Sequence, residues 1–195
     1  KILSDEIYSR ILYDNNNFVS LLEYPQLKDR VIILDGWSKT YAMTGWRIGY
    51  GVWPKKYVKI AEQLNINSFS CTNTATQFAA IAALQGPQDS VDLMVSEFDK
   101  RRKIMVKQLN EINGFDCSNS KGAFYLFPSI KKTGLKSNDM ENILLNKIGI
   151  AAVSGNSFGD FGEGYIRFSF ANSEENIKLA LQKIKEYSDK QGWHA

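Results

Sequence analysis

Three short apolar or β-branched runs, Lys1 to Leu3, Val31 to Leu34 and Arg47 to Val52, each stop at polar or turn residues, as buried strands do. After the third run the apolar spacing changes to that of a helix. Pro54 opens a stretch in which Tyr57, Ile60, Ala61 and Leu64 recur at helical intervals, and a second helix is predicted through Thr74 to Leu84, stopped by Gly86-Pro87. Short strands alternating with helices predict an open α/β sheet with helices on its faces.

Beyond Gly86-Pro87 the pattern becomes one long amphipathic segment, Ser90 to Ile112, marked by Val91, Met94, Val95, Phe98, Ile104, Met105 and Leu109 and ended by Asn113-Gly114. There follow a predicted strand Ala123 to Phe127, a helix near Asp139 to Ile148, strands Ala151 to Val153 and Tyr165 to Phe170, and a last helix. Asn172 is the expected N-cap of that helix, with Glu175 three residues on and Ile177, Leu181 and Ile184 on its buried face. The change of character sets an expected boundary between a first domain, residues 1–88, and a smaller α+β domain, residues 89–195.

Of the 195 residues, 44% are hydrophobic and 23% charged, enough to bury a core. The net charge of +3, with both signs interspersed, gives no electrostatic footprint for nucleic acid. The one basic run, Asp99-Lys100-Arg101-Arg102-Lys103, lies in a helical pattern and is expected to be a solvated face, with phosphate binding as its alternative. Cys71 and Cys117 match no metal or redox spacing, and no apolar run is long enough to span a bilayer, so free thiols, no metal and a cytoplasmic location are expected. The chain begins at Lys1, inside what reads as a strand, which predicts that an N-terminal part of a larger protein precedes it.

With His194 the only histidine, in a polar tail, serine–histidine and cysteine–histidine catalysis are disfavoured, and proton transfer falls to lysine, tyrosine or carboxylate. "WSKTYAMTGWRIGY", residues 37–50, places Lys39 between Ser38 and Thr40 and ahead of Arg47. A lysine amine attacks a carbonyl only when partly deprotonated, which burial or a neighbouring cation favours. Alone, Lys39 would equally be a surface lysine at a strand end, and Asp5 a cap or turn residue. Together, Asp5 and Tyr8 beyond one strand and Ser38 and Lys39 beyond another face the crevice where open α/β sheets bind ligands. Ser38, Thr40 and Arg47 add hydroxyls and a guanidinium suited to phosphate.

Gly36-Trp37-Ser38-Lys39 followed by Ala42-Met43-Thr44-Gly45-Trp46-Arg47-Ile48-Gly49 closely resembles the pyridoxal-phosphate attachment motif of class I and II aminotransferases. "SDEIY" (residues 4–8), "GAFYLFP" (122–128) and "GEGYIRFSFA" (162–171) resemble further segments of that family, and together they cover nearly the whole chain as its C-terminal part. The resemblance implies the mixed, mainly parallel sheet of the large domain's C-terminal part, then the small α+β domain. It implies pyridoxal 5'-phosphate held covalently by Lys39, which also moves the proton at the substrate Cα. Asp5 would partner the ring nitrogen, Tyr8 the phenolic oxygen, Ser38 and Arg47 the phosphate, and Arg167 the substrate α-carboxylate. Amino acids and 2-oxo acids are the implied substrates, and a homodimer the implied assembly of the full-length protein. In many relatives a serine stands three residues before the lysine; here Gly36 removes that hydroxyl. In the family the preceding part supplies backbone N–H groups to the phosphate, a ring stacked on the cofactor, an asparagine and much of the dimer interface.

Two other readings stay open. A carbon–sulfur β-lyase uses the same fold and lysine, and the chain by itself could be a non-catalytic fragment holding half of a site. Arg167, among Tyr165, Phe168 and Phe170, could simply be a surface strand residue paired with a carboxylate. Asp160-Phe161-Gly162 spells a kinase-like triplet without the accompanying kinase motifs. Gly155, Gly159, Gly162 and Gly164 are expected to let a turn fold over a ligand mouth, with Phe124 and Tyr125 as alternating core and cleft residues.

Overall fold

A computed structural model describes residues 1–193; His194 lies outside them. The chain forms two compact units, Lys1–Met94 and a second from Val95 onward.

In the first unit, β1 (Ile2–Asp5), β2 (Val31–Gly36) and β3 (Gly49–Val52) form a sheet in that order, β1 parallel and β3 antiparallel to β2. Val31 and Ile33 bury the alternating apolar face of β2. β1 and β2 run further than their apolar runs because the polar ends still join the ladder: Asp5 pairs with Leu34, and Glu6 N donates to Leu34 O at 2.8 Å. β3 starts two residues later than expected because Arg47 is in the left-handed region, φ 53° and ψ 49°, which breaks a strand.

After a 3-10 turn at Lys55–Tyr57 comes α1 (Val58–Phe69), then α2 (Thr74–Gln85), capped by Asn73, whose side chain accepts from Thr76 N at 3.2 Å. The helical spacing of Ile60, Ala61 and Leu64 holds, yet only Ala61 is buried; Ile60, Leu64 and Phe69 are exposed. α3 (Asp89–Asn110) begins in the first unit and continues into the second. Its first turns stay with the first unit because Val91 and Met94 share a cleft with Tyr41, Met43 and Ala83.

The second unit contains β4 (Tyr125–Leu126), α4 (Ser137–Ile143) continuing as a π-helical turn Leu144–Ile148, β5 (Val153–Ser154), β6 (Ile166–Ser169) and α5 (Glu174–Gln191). β6 lies between β4 and β5, antiparallel to both. Ala123, at φ 59°, delays β4 relative to the expected strand. Leu109, Leu126, Ile130, Met140, Leu144, Ile166, Phe170 and Ile184 are fully buried here.

Two sequence expectations are corrected in this unit. The N-cap of α5 is Ser173, which accepts from Asn176 N at 3.2 Å; Asn172 instead accepts from Ser173 N at 2.8 Å and Asn176 Nδ2 at 3.0 Å. The basic run is not wholly solvated. Lys100 and Lys103 pair with Glu97 and Asp99 on the exposed side, whereas Arg102 is 1% exposed, bonded to Asp99 Oδ1 at 2.7 Å and Ser120 O at 2.7 Å. A buried guanidinium needs such partners, and they commit Arg102 to the fold of this unit.

Among the described residues no helix is long and apolar enough to cross a membrane, and no cluster of His, Cys, Asp and Glu could hold a metal ion. Both cysteines are free, Cys71 exposed and Cys117 buried.

Candidate active site

The parallel pairing of β1 and β2 aligns their carboxyl ends, since Asp5 lies opposite Leu34. Asp5 therefore ends β1 beside the last residues of β2, Asp35 and Gly36, after which Trp37, Ser38 and Lys39 leave the sheet. Asp5 Oδ1 accepts from Ile7 N at 3.2 Å, a bond that turns the chain at once. Tyr8, half-buried, sits in that turn, where Ile11 N donates to its carbonyl at 2.9 Å.

Glu6, buried next to Asp5, holds the turn down. Its Oε1 accepts from Ser4 Oγ at 3.3 Å and Leu21 N at 3.2 Å. Ser38 and Lys39 are half-buried in the turn after β2, closed by Tyr41 N donating to Trp37 O at 3.1 Å and Ala42 N to Lys39 O at 3.3 Å. Thr40 is buried.

The loop from Trp37 to Ile48 is closed at its base, where Trp37 N donates to Ile48 O at 3.4 Å. Ser38 and Arg47 thus leave the β2–β3 ladder from adjacent positions. Arg47 is exposed, and its Nη1 donates to Thr44 O at 2.8 Å. Such close strands require glycine: a Cβ on Gly36 would stand 2.8 Å from Gly49 Cα and 2.9 Å from Ile48 O. The loop's apolar side packs on α2, where Met43, Ile48 and Ala80 form a buried cluster with Trp37 and Tyr41 against it. Trp37 Nε1 donates to Ala80 O at 3.1 Å, and Arg10 Nη1 reaches Tyr41 Oη at 3.1 Å and Gln88 Oε1 at 2.6 Å.

Sequence reasoning missed Asp35 and Tyr50. They face each other across β2 and β3, and Tyr50 Oη donates to Asp35 Oδ2 at 3.2 Å. Burial raises the Asp35 pKa above the usual carboxylate range; bonds from Gly36 N and Tyr50 oppose this, while the charges of Glu6 and Asp5 add to it. Burial and Asp35 together raise the Tyr50 phenol as well. A carboxylate ending an apolar strand was the available signal, but its partner depends on the antiparallel register.

Arg167 belongs to the second unit, on the half-buried face of β6. Its guanidinium lies 4.5 Å from the Tyr125 ring centre and 4.6 Å from that of Phe158. It makes no ion pair with a carboxylate among the described residues, so the surface-pairing alternative has no partner there.

The profile of "Aminotransferase class I and II" matches residues 1–184. The chain is 38% identical over 189 residues to a putative aminotransferase, YugH, of Bacillus subtilis, covering 97% of this chain and 48% of that protein. An aspartate aminotransferase of Pyrococcus abyssi is 36% identical, with 95% of this chain and 48% of that protein covered. Among solved structures, an aromatic aminotransferase from Pyrococcus horikoshii superposes with a TM-score of 0.94 at 35% identity, covering 98% of this chain and 51% of the other. The chain spans about half the length of the relatives it matches. A match along almost its whole length, in sequence and in fold, makes this chain a member of the class I and II aminotransferase family.

Proposed function

We propose that this chain carries the cofactor-attaching lysine and the carboxylate-binding arginine of a pyridoxal-phosphate-dependent aminotransferase, which moves an amino group between an α-amino acid and a 2-oxo acid. The observation that supports the reading best is the exit of Asp5 and of the Ser38-Lys39 turn from neighbouring carboxyl ends of parallel strands. The donor set fits the cofactor in kind: a carboxylate for a ring nitrogen, a phenol for a phenolic oxygen, a hydroxyl and a guanidinium for a phosphate, and an amine for an aldehyde.

When bound, pyridoxal phosphate supplies an aldehyde that takes up an amino group and a cationic ring that accepts the electrons released at the substrate Cα. Lys39 Nζ would hold the aldehyde and would serve as the base and acid that moves the proton at the substrate Cα. The Asp5 carboxylate keeps the ring nitrogen protonated, and the Tyr8 phenol donates to the phenolic oxygen. Ser38 and Arg47 hold the phosphate, and Arg167 takes the α-carboxylate in a charge-assisted pair. The relatives' names favour transfer over carbon–sulfur elimination. The proposal extends to a cytoplasmic homodimer of the full-length protein, with residues 1–88 in the large domain and 89–195 in the small one.

The test is covalent capture. Incubation with pyridoxal phosphate, reduction with borohydride and peptide mass spectrometry should give one pyridoxyl adduct, on Lys39, absent from Lys39→Ala. Adducts spread over exposed lysines, in a pattern that Lys39→Ala leaves unchanged, would refute the assignment.

A further inference from the structure

We propose that Tyr125 and Phe158 are positioning residues that hold the Arg167 guanidinium by its π-facing sides and leave its N–H donors uncommitted for a carboxylate. The proposal rests on the reading of Arg167 as the carboxylate site and adds to it the device that prepares the arginine.

The geometry begins with the pleat of β6. Ile166, Phe168 and Phe170 are buried on one face, so Tyr165, Arg167 and Ser169 point to the other. Tyr125 on β4 lies opposite Ser169 and shares its face, one diagonal step from Arg167. Phe158 arrives from the other side of the sheet. Val153 on β5 lies opposite Arg167, and the 3-10 turn Gly155–Phe158 directly after β5 carries the ring back over the strand.

That turn is tied down by several bonds. Gly155 N donates to Tyr165 O at 2.9 Å, and Asn156 Nδ2 to Glu163 Oε2 at 2.6 Å, while Glu163 Oε1 accepts from Ser137 N at 3.0 Å. Phe158 is buttressed in turn: Phe127 meets it edge-on at 5.9 Å and stacks on Tyr165 at 5.2 Å, and the Lys131 ammonium lies 4.9 Å from the Tyr165 ring.

A ring attracts a guanidinium through its π-electrons and consumes no N–H donor in doing so. An arginine fixed by a carboxylate or carbonyl would have spent those donors; this guanidinium has no hydrogen bond or ion pair among the described residues. Two rings at 4.5 and 4.6 Å restrict a long, flexible side chain while the donors stay available for a bidentate carboxylate. Lost rotamer freedom is then met on folding rather than on binding.

The experiment is an NMR titration of the arginine side-chain N–H signals with propionate, a small carboxylate that carries no amino group. In the wild-type chain the Arg167 signal should be displaced by the two ring currents and move further on adding propionate. Tyr125→Phe and Phe158→Tyr, which keep the rings, should behave as wild type. Tyr125→Leu and Phe158→Leu should lose the ring-current displacement and bind propionate about five-fold more weakly, with the β6 amides still protected from exchange. Wild-type affinity in both leucine variants would overturn the positioning role alone. A wild-type Arg167 signal that ignores propionate would overturn the carboxylate reading and the proposal with it.

Discussion

Gly155→Ala replaces one hydrogen by a methyl group in a place where the backbone itself is the obstacle. The new Cβ would run into the carbonyl oxygen of Gly162 and stand 2.8 Å from that of Tyr165. Neither atom is the end of a flexible side chain, so the turn after β5 must move. Overpacking of this kind costs about 1–3 kcal/mol. Moving Gly155 also breaks its N–H bond to Tyr165 O, at 2.9 Å, and leaving a buried donor unpaired costs about 1–3 kcal/mol more. Together they reach about 2–6 kcal/mol, a large share of the roughly 5–15 kcal/mol that holds a typical domain. Urea unfolding followed by circular dichroism, with amide exchange at β6, measures the loss. Gly45→Ala is the control: no atom lies within 4 Å of its Cβ position, so its stability should stay within about 0.5 kcal/mol of wild type. If Gly155→Ala unfolds at the wild-type midpoint, the close approach of the two turns is not what the chain adopts, and the placement of Phe158 over Arg167 loses its basis.

Two further outcomes follow from titrating groups. Burial pushes the Cys117 thiol up to about 12 from its ordinary 9.0, with the charge of Asp116 adding to the rise, so iodoacetamide at pH 8 should label exposed Cys71 alone until urea is added. Because the folded state holds the Cys117 proton more tightly, its contribution to stability is complete below about pH 9 and declines as pH climbs toward 12. Asp35 is likewise raised above its ordinary 3.8, chiefly by burial; its protonated form is favoured on folding, so it penalises the fold as pH rises above that value. Asp35→Asn should therefore raise the melting temperature at pH 7 and leave it unchanged near pH 3; a fall at pH 7 would show that the bonds from Gly36 and Tyr50 outweigh the desolvated charge.

The sequence was most legible where one local rule decided the outcome. Short apolar runs marked β1 and β2 because each ends where polar residues begin, and α5 was legible because Ile177, Leu181 and Ile184 keep one face. It was least legible where two local options were chemically equivalent or the partner was distant. Asn172 and Ser173 are both good caps, and the choice fell to Ser173 because Asn172 Oδ1 is taken by Ser173 N and the Asn176 side chain. Arg102 looked like its neighbours in a charged run, and the return of the chain at Ser120, distant in sequence, supplies a carbonyl that accepts from it. The Asp35–Tyr50 pair depends on the register of β2 against β3, and Phe158 reaches Arg167 only through the turn after β5.

The two units share a way of fixing a polar side chain. In the first, Gly36 lets the strands close so tightly that a Cβ would meet Gly49 Cα, and the turn bearing Ser38 and Lys39 starts at that contact. In the second, Gly155 and Gly162 meet backbone to backbone, and the turn between them carries Phe158 to the guanidinium of Arg167. Each turn is set by main-chain contact, which has few alternative arrangements, and not by the polar side chain beside it. Beside those turns lie an aromatic loop packed on α2 in one unit and, in the other, two rings against the Arg167 guanidinium. On the proposed reading, in which Lys39 and Arg167 are site residues, both would need a rigid scaffold to hold their geometry. The glycine contacts supply that rigidity from main-chain atoms alone.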